Sequence, residues 1–177
     1  DNGIGFTEVN YVSFQTLDSR IKAARGAKGI GRLLWLKAFE DVHIESTFEE
    51  HGGWYLRVFD FRRSKSGIEG DRIDEAKSTS RRTEVHLKGF RKRYQAGSPK
   101  RAEPIARRLV EHCLEHFVLG TAPRIFVHDE FSPDVTIDVQ ELYQREYRPG
   151  AAPRAFSLNG QEFQILDVLL KPSSATS

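Results

Sequence analysis

The chain has 177 residues, of which 29% are charged and 38% apolar, and its net charge is +2. That balance excludes a disordered chain, and so small a net charge gives no whole-chain argument for a nucleic-acid partner. A single cysteine, Cys113, excludes an internal disulfide and leads us to expect a reducing, cytoplasmic setting. No apolar run approaches membrane-spanning length, and the start shows no signal-peptide pattern. The sequence contains no Met, so it is expected to be a piece of something longer.

In chain order, residues 1–6 read as a strand end entering a turn built on Gly3 and Gly5. Weak helical periodicity (Val9, Val12, Phe14, Leu17) predicts a short helix, followed by a mobile loop to residue 25. A second glycine turn spans Gly26 to Gly31 and opens into a helix of about three turns over residues 31–41. Val42 to Ser46 and Trp54 to Phe61 read as strands, with Gly52 and Gly53 as the hairpin turn. Residues 62–82 read as an irregular polar insert. Thr83 to Phe90 alternates and is expected to be a strand with Val85 and Leu87 inward, before a basic loop over 91–101.

Ala102 to Leu119 is the clearest helix. Pro104 suits the first helical position, Ile105, Leu109, Leu114 and Phe117 mark its apolar face, and Gly120 is a cap. Ile125 to His128 and Val135 to Val139 read as short strands. Arg148 to Pro153 is a linker signal, and Asn159-Gly160 predicts a type I′ hairpin. The expected organisation is a nucleotide-type domain over 1–147, a linker over 148–155, and the start of a second domain over 156–177. No internal repeat is present.

The function-bearing stretch is the first thirty-two residues. A carboxylate (Asp1) stands beside two glycines, and such a group accepts a hydrogen bond from an exocyclic amine. Backbone N–H groups of a glycine loop, with Lys28 and with Arg32 at a helix start, suit polyphosphate. Each glycine turn alone is more often just a turn. Together, Asp1-x-Gly3-x-Gly5 and Gly26-x-x-Gly29-x-Gly31 resemble the second and third motifs of the GHKL superfamily. Those are the gyrase-type topoisomerases, ninety-kilodalton heat-shock chaperones, histidine kinases and MutL, and the likeness is closest to the chaperone-like and MORC-like bacterial branch. Arg82-Thr83 is similar to that superfamily's fourth motif, with the threonine matching and the glycine not.

The resemblance implies a Bergerat ATP-binding fold: an α/β two-layer sandwich with a mostly antiparallel mixed sheet. Helices, including 31–41 and 102–119, would cover one face. It implies that Asp1 binds the adenine amine with Thr83 assisting, that Gly3 and Gly5 shape the adenine wall, and that Asn2 is among the nucleotide-binding residues. Residues 7–25 would belong to a lid, and Gly26, Lys28, Gly29, Gly31 and Arg32 would hold phosphate. ATP would then drive lid closure and association of two such domains. The implied general-base glutamate and the Mg-binding asparagine belong to a motif upstream of Asp1, and no residue here takes either role. This stretch alone is therefore expected to bind ATP weakly and not to hydrolyse it.

Two other readings remain at this stage. One is a non-catalytic nucleotide-sensing or interaction module. The other is a nucleic-acid-binding surface on the basic segment Arg81 to Arg101, with Phe90 and Tyr94 interleaved, although charge runs are usually solvated faces. His112 and His116 lie four residues apart on an expected helix but have no third ligand nearby, so they read as surface residues rather than a zinc pair. Cys113 lacks the setting of a nucleophile. The acidic group Asp129, Glu130, Asp134 and Asp138 reads as loop solvation.

Overall fold

The computed structural model describes residues 1–16, 31–147 and 154–165. They form two compact units, Asp1–Ser98 and Pro99–Ser177. The division falls inside the stretch expected as one domain, and the expected linker residues 148–153 lie outside the described residues.

The first unit is α/β. Its sheet has four antiparallel strands in the order β3-β2-β1-β4: β1 (Asp41–Glu50), β2 (Gly53–Phe61), β3 (Ile68–Glu75) and β4 (Arg82–Lys88). The β1–β2 hairpin is longer than its aromatic half suggests, running in register from Val42↔Phe61 to Glu50↔Gly53. Its two turn residues are His51 and Gly52, both at positive φ (52° and 78°), as a type I′ turn requires. The turn thus begins one residue earlier than expected.

The polar insert expected over 62–82 contains β3. This strand escapes the hydrophobic pattern because it is an edge strand with nearly every residue exposed. Its pairing with β2 shifts between Val58 and Asp60, and Gly70 there adopts φ 64°, the backbone of a β-bulge.

Alternation along β1 puts Val42, Ile44, Ser46 and Phe48 on one face, all buried. Two helices cover that face: α1 (Glu8–Gln15) and α2 (Leu33–Ala38). Tyr11, Phe14, Trp35 and Leu36 pack there on Val42, Ile44, Phe59 and Phe61. The rings of Phe6, Phe14, Phe59 and Phe61 meet edge to face at 5.0–5.5 Å, the arrangement their quadrupoles favour. The α2 helix is shorter than expected, because Phe39 turns to extended backbone (φ −120°, ψ 160°) and leads directly into β1. After β4, the loop expected over 91–101 contains the single turn α3 (Lys92–Gln95).

The second unit is built on α4 (Ala102–His112), α5 (Leu114–Val118), the hairpin of β5 (Phe126–Asp129) and β6 (Ser132–Asp138), and α6 (Val139–Glu146). The long helix expected over 102–119 breaks at Cys113, whose φ −103° and ψ 17° leave the helical region. Ala102, Ala106 and Val110 are its buried stripe, and with Phe117, Val139, Leu142, Tyr143 and Tyr147 they make this unit's core. Helices 4 and 5 thus contribute to the core of this unit. Gly120 does close the helix, at φ 68°. The α6 helix has no counterpart in the sequence reading. Asp138 starts it by accepting from the Gln140 N–H at 2.9 Å. The last hairpin, β7 (Arg154–Leu158) with β8 (Gln161–Ile165), turns on Asn159 and Gly160 at φ 53° and 77°, as its sequence predicts.

Candidate functional site

The first glycine turn is docked on the covered face of the sheet by polar side chains from successive strands. Ser46 on β1 lies in register with Thr83 on β4 and with Arg57 on β2. The Ser46 and Thr83 hydroxyls share a hydrogen bond of 2.9 Å, and Ser46 Oγ accepts from the Phe6 N–H at 3.0 Å. Arg57 donates to the Phe6 carbonyl at 3.1 Å, and Asn10 donates to the Gly5 carbonyl at 2.7 Å. Three of the turn's backbone groups are thus held by side chains, as buried backbone polar groups require.

Gly5 needs to be glycine twice over. Its φ is 74°, and a Cβ there would lie 2.8 Å from both Phe48 Cβ and Ser46 Oγ. Asp1 extends the sheet at its β4 edge. Its N–H donates to the Thr83 carbonyl and its carbonyl accepts from the Thr83 N–H, both at 2.8 Å. The Asp1 side chain is exposed, and Oδ1 accepts from the Gly3 N–H at 2.9 Å. Among the described residues no other donor engages this carboxylate, so its remaining edge faces solvent as an acceptor.

Arg57 is the one fully buried cation of the unit's described residues, at 2% exposure. Its guanidinium lies over the Tyr11 ring at 4.0 Å and reaches Glu8 at 2.7 Å. Nε lies 3.6 Å from Asp71, an ion-pair separation too long for a hydrogen bond, and it has no hydrogen-bond partner. Burial, reinforced by a hydrogen bond with Asp71, pushes the Tyr11 phenol up to about 12. Tyr11 and Phe14 pack α1 into the core. Of the stretch expected as a lid, 7–25, residues 17–25 lie outside the described residues.

Of the second glycine turn, Gly26, Lys28 and Gly29 lie outside the described residues. The Gly31 carbonyl accepts from Leu34 N–H at 3.0 Å, and a Cβ on Gly31 would have no heavy atom within 4 Å. Arg32 donates to the Thr16 carbonyl at 2.7 Å and lies over the Phe14 ring at 5.1 Å. Burial lowers its pKa. The structure therefore brings Asp1, Gly3, Gly5 and Thr83 together and sets Arg32 at the far end of α1, about 12 Å along its axis for eight residues. Asn2 is exposed beside Asp1.

Sequence reasoning missed Ser46, Arg57 and Asn10. The first two were detectable. Each falls on the inward phase of an alternating strand, Ser46 with Ile44 and Phe48 and Arg57 with Phe59 and Phe61, and a polar residue there needs a partner.

Several side chains of the remaining candidates have partners within the chain. His112 ends α4 and His116 lies in α5, so the break at Cys113 removes their expected single-helix spacing. Among the described residues no group of three or more His, Cys, Asp or Glu could hold a metal. In the acidic group, Asp138 caps α6 and takes Arg124 at 2.9 Å, and Asp129 accepts from Phe131 N–H. In the basic segment, Arg81 pairs with Glu49, Arg82 with Glu84, and Arg91 donates to the Phe39 carbonyl. No described helix is long and apolar enough to cross a membrane. No family model, curated protein or solved structure matches the chain.

Proposed function

We propose that the first unit binds ATP in the manner of the GHKL ATPases, with the adenine at Asp1 and Thr83 and the phosphates toward Arg32. One observation carries the reading. Asp1 and Thr83 stand eighty-two residues apart in sequence and are joined by two backbone hydrogen bonds at the sheet edge. The exposed carboxylate edge of Asp1 supplies the acceptor an adenine amine needs, and the tight docking of Gly5 sets the wall beside it. Thr83 adds a hydroxyl one bond removed, through Ser46. The separation along α1 from this end to Arg32 is one that an extended nucleoside triphosphate covers. Gly26, Lys28, Gly29 and Gly31 are assigned to the phosphates by motif.

The role proposed for this chain is binding, with nucleotide-driven closure and pairing of two copies as the output in a larger protein. ATP supplies the charge and the hydrolysable anhydride, while the chain orients the base and takes up the phosphate charge.

Calorimetric titration of the 177-residue chain tests this. ATP should bind weakly, GTP more weakly still, and Asp1→Asn should reduce ATP affinity about tenfold through loss of a charged acceptor. Equal affinity for ATP and GTP, or an unchanged Asp1→Asn, would overturn the adenine assignment. Magnesium-dependent turnover by this chain would overturn the assignment of binding alone.

A further inference from the structure

A cleft of about 530 Å³ opens in the first unit between α1, α2 and the β2–β3 loop, within the size range of ligand pockets, about 300–1,000 Å³. It shares neither Asp1 nor Thr83 with the nucleotide site. Its floor is apolar, made by Phe14, Leu36, Phe61 and Ile68. Its rim carries Arg32, Arg62, Arg63 and Lys65, and no acidic residue lines it among the described residues.

The four cations differ in how they are engaged. Arg62 is surrounded by carboxylates, with Asp60 at 3.3 Å, Asp41 at 3.6 Å and Glu69 at 3.9 Å. Arg32 donates to the Thr16 carbonyl. Arg63 commits only its Nε, to the Leu36 carbonyl at 2.9 Å, and has no carboxylate partner among the described residues. Lys65 likewise has no ion-pair partner there. Among the described residues, these two charges are without an ion-pair partner and sit above an apolar floor. They are presented on a closed loop: Arg62 N–H bonds the Gly67 carbonyl at 2.9 Å, Gly67 N–H bonds the Ser64 carbonyl at 3.2 Å, and Gly67 adopts φ 72°. The Ser64 and Ser66 hydroxyls, 3.1 Å apart, add neutral donors on the same loop.

We propose that this cleft binds a phosphomonoester carried on an aromatic or apolar body. Arg63 and Lys65 meet the dianion, and the phenylalanine floor takes the body. A guanidinium held by its Nε keeps its terminal nitrogens for the forked contact that phosphate oxygens make. A carboxylate brings half the charge and leaves one of the two cations unmatched. The proposal is independent of the ATP reading, and because Arg32 figures in both, the test uses Arg63 and Lys65.

Phenyl phosphate, inorganic phosphate and benzoate are titrated by calorimetry into the 177-residue chain at low salt. Phenyl phosphate should bind about tenfold tighter than inorganic phosphate, which lacks the body, and tighter than benzoate, which lacks the dianion. Arg63→Gln/Lys65→Gln should weaken phenyl phosphate about tenfold or more, and Ser66→Glu should do the same by placing a like charge in the rim. All three positions are exposed, so the fold is kept, and unchanged tryptophan fluorescence checks it. Asp1→Asn should leave phenyl phosphate binding intact, whatever it does to ATP. Equal affinity for phenyl phosphate and inorganic phosphate, benzoate as tight as phenyl phosphate, or unchanged binding in both loop variants would overturn the proposal.

Discussion

Replacing Arg57 with Met tests whether a buried charge holds the first glycine turn. Methionine keeps the length of the stem and removes the guanidinium. Four favourable contacts go with it, one of them the 3.6 Å ion pair with Asp71. The charged hydrogen bond to the Phe6 carbonyl is worth about 1.5–3 kcal/mol. The desolvated contact over Tyr11 is worth about 2 kcal/mol. The pair with Glu8 adds little, below about 1 kcal/mol, because the Glu8 side chain is 62% exposed. Against these stands the relief of Nε, buried without a hydrogen bond, at about 1–3 kcal/mol. The favourable terms exceed the penalty, so Arg57→Met should destabilise the first unit by about 2–3 kcal/mol. Trp35 and Trp54 both lie in that unit, so urea unfolding followed by tryptophan fluorescence reports it selectively, and the midpoint should fall with an unchanged slope. A variant as stable as the parent, or more stable, would refute the reasoning. It would mean that desolvation of the guanidinium outweighs its contacts, as it does in some buried ion pairs.

Gly5→Ala should cost about 2–4 kcal/mol in the same assay, combining the left-handed φ with contacts of 2.8 Å to Phe48 and Ser46; a loss under about 0.5 kcal/mol would show that the turn is free to move. Gly31→Ala is the contrasting case, since its Cβ meets nothing within 4 Å: stability should stay level while ATP affinity drops, and unchanged affinity would count against phosphate at that turn. On the open face of the sheet, His43 bonds Asp60 at 2.6 Å and Glu45 at 3.1 Å, with His86 beside it at 6.1 Å. The Asp60 hydrogen bond raises the His43 pKa, Glu45 assisting against partial desolvation. Because the folded value is raised, the stabilisation is fully present below about 6.5, the unfolded value, and is lost as pH rises through the folded value. An NMR titration should show this elevation, and Asp60→Asn should move His43 back toward the ordinary histidine range; an unmoved titration would remove Asp60 as the cause.

The parts of the fold legible in the sequence were those with a strong period. The aromatic alternation of 54–61 and the Asn159-Gly160 turn gave their elements directly, and the glycine at 120 gave its cap. The α/β class came from the family resemblance rather than from these patterns, and the first unit's antiparallel sheet with helices agrees with it. What escaped had a weak or misleading period. The edge strand β3 buries almost nothing, so its eight residues carry no alternation. The helix over 102–119 kept its apolar spacing through Cys113, so its break was invisible to a count of residues. At the site, the motif located Asp1, Gly3, Gly5 and Thr83, but not the groups that hold them. Ser46 and Arg57 stand out locally as polar residues on an inward phase, but their placing beside each other rests on strand register, which no local pattern shows.

The row Thr83–Ser46–Arg57 across three strands is better explained by what it holds than by what it adds to stability. A row made wholly of well-packed apolar residues would spare the desolvation of a guanidinium. Apolar side chains could not, however, satisfy Phe6 N–H and Phe6 carbonyl, which bond Ser46 and Arg57. Freed of those two bonds, the turn would lose its fixed place beside Thr83, and with it the position of the Asp1 carboxylate. Stability and site geometry should therefore separate in Ser46→Val. The β1 strand should remain, because valine suits a buried strand position, while hydrogen exchange at Phe6 should rise toward that of an unprotected amide. Retained protection at Phe6 would show that the turn is held by packing against Phe14 and Phe59 alone.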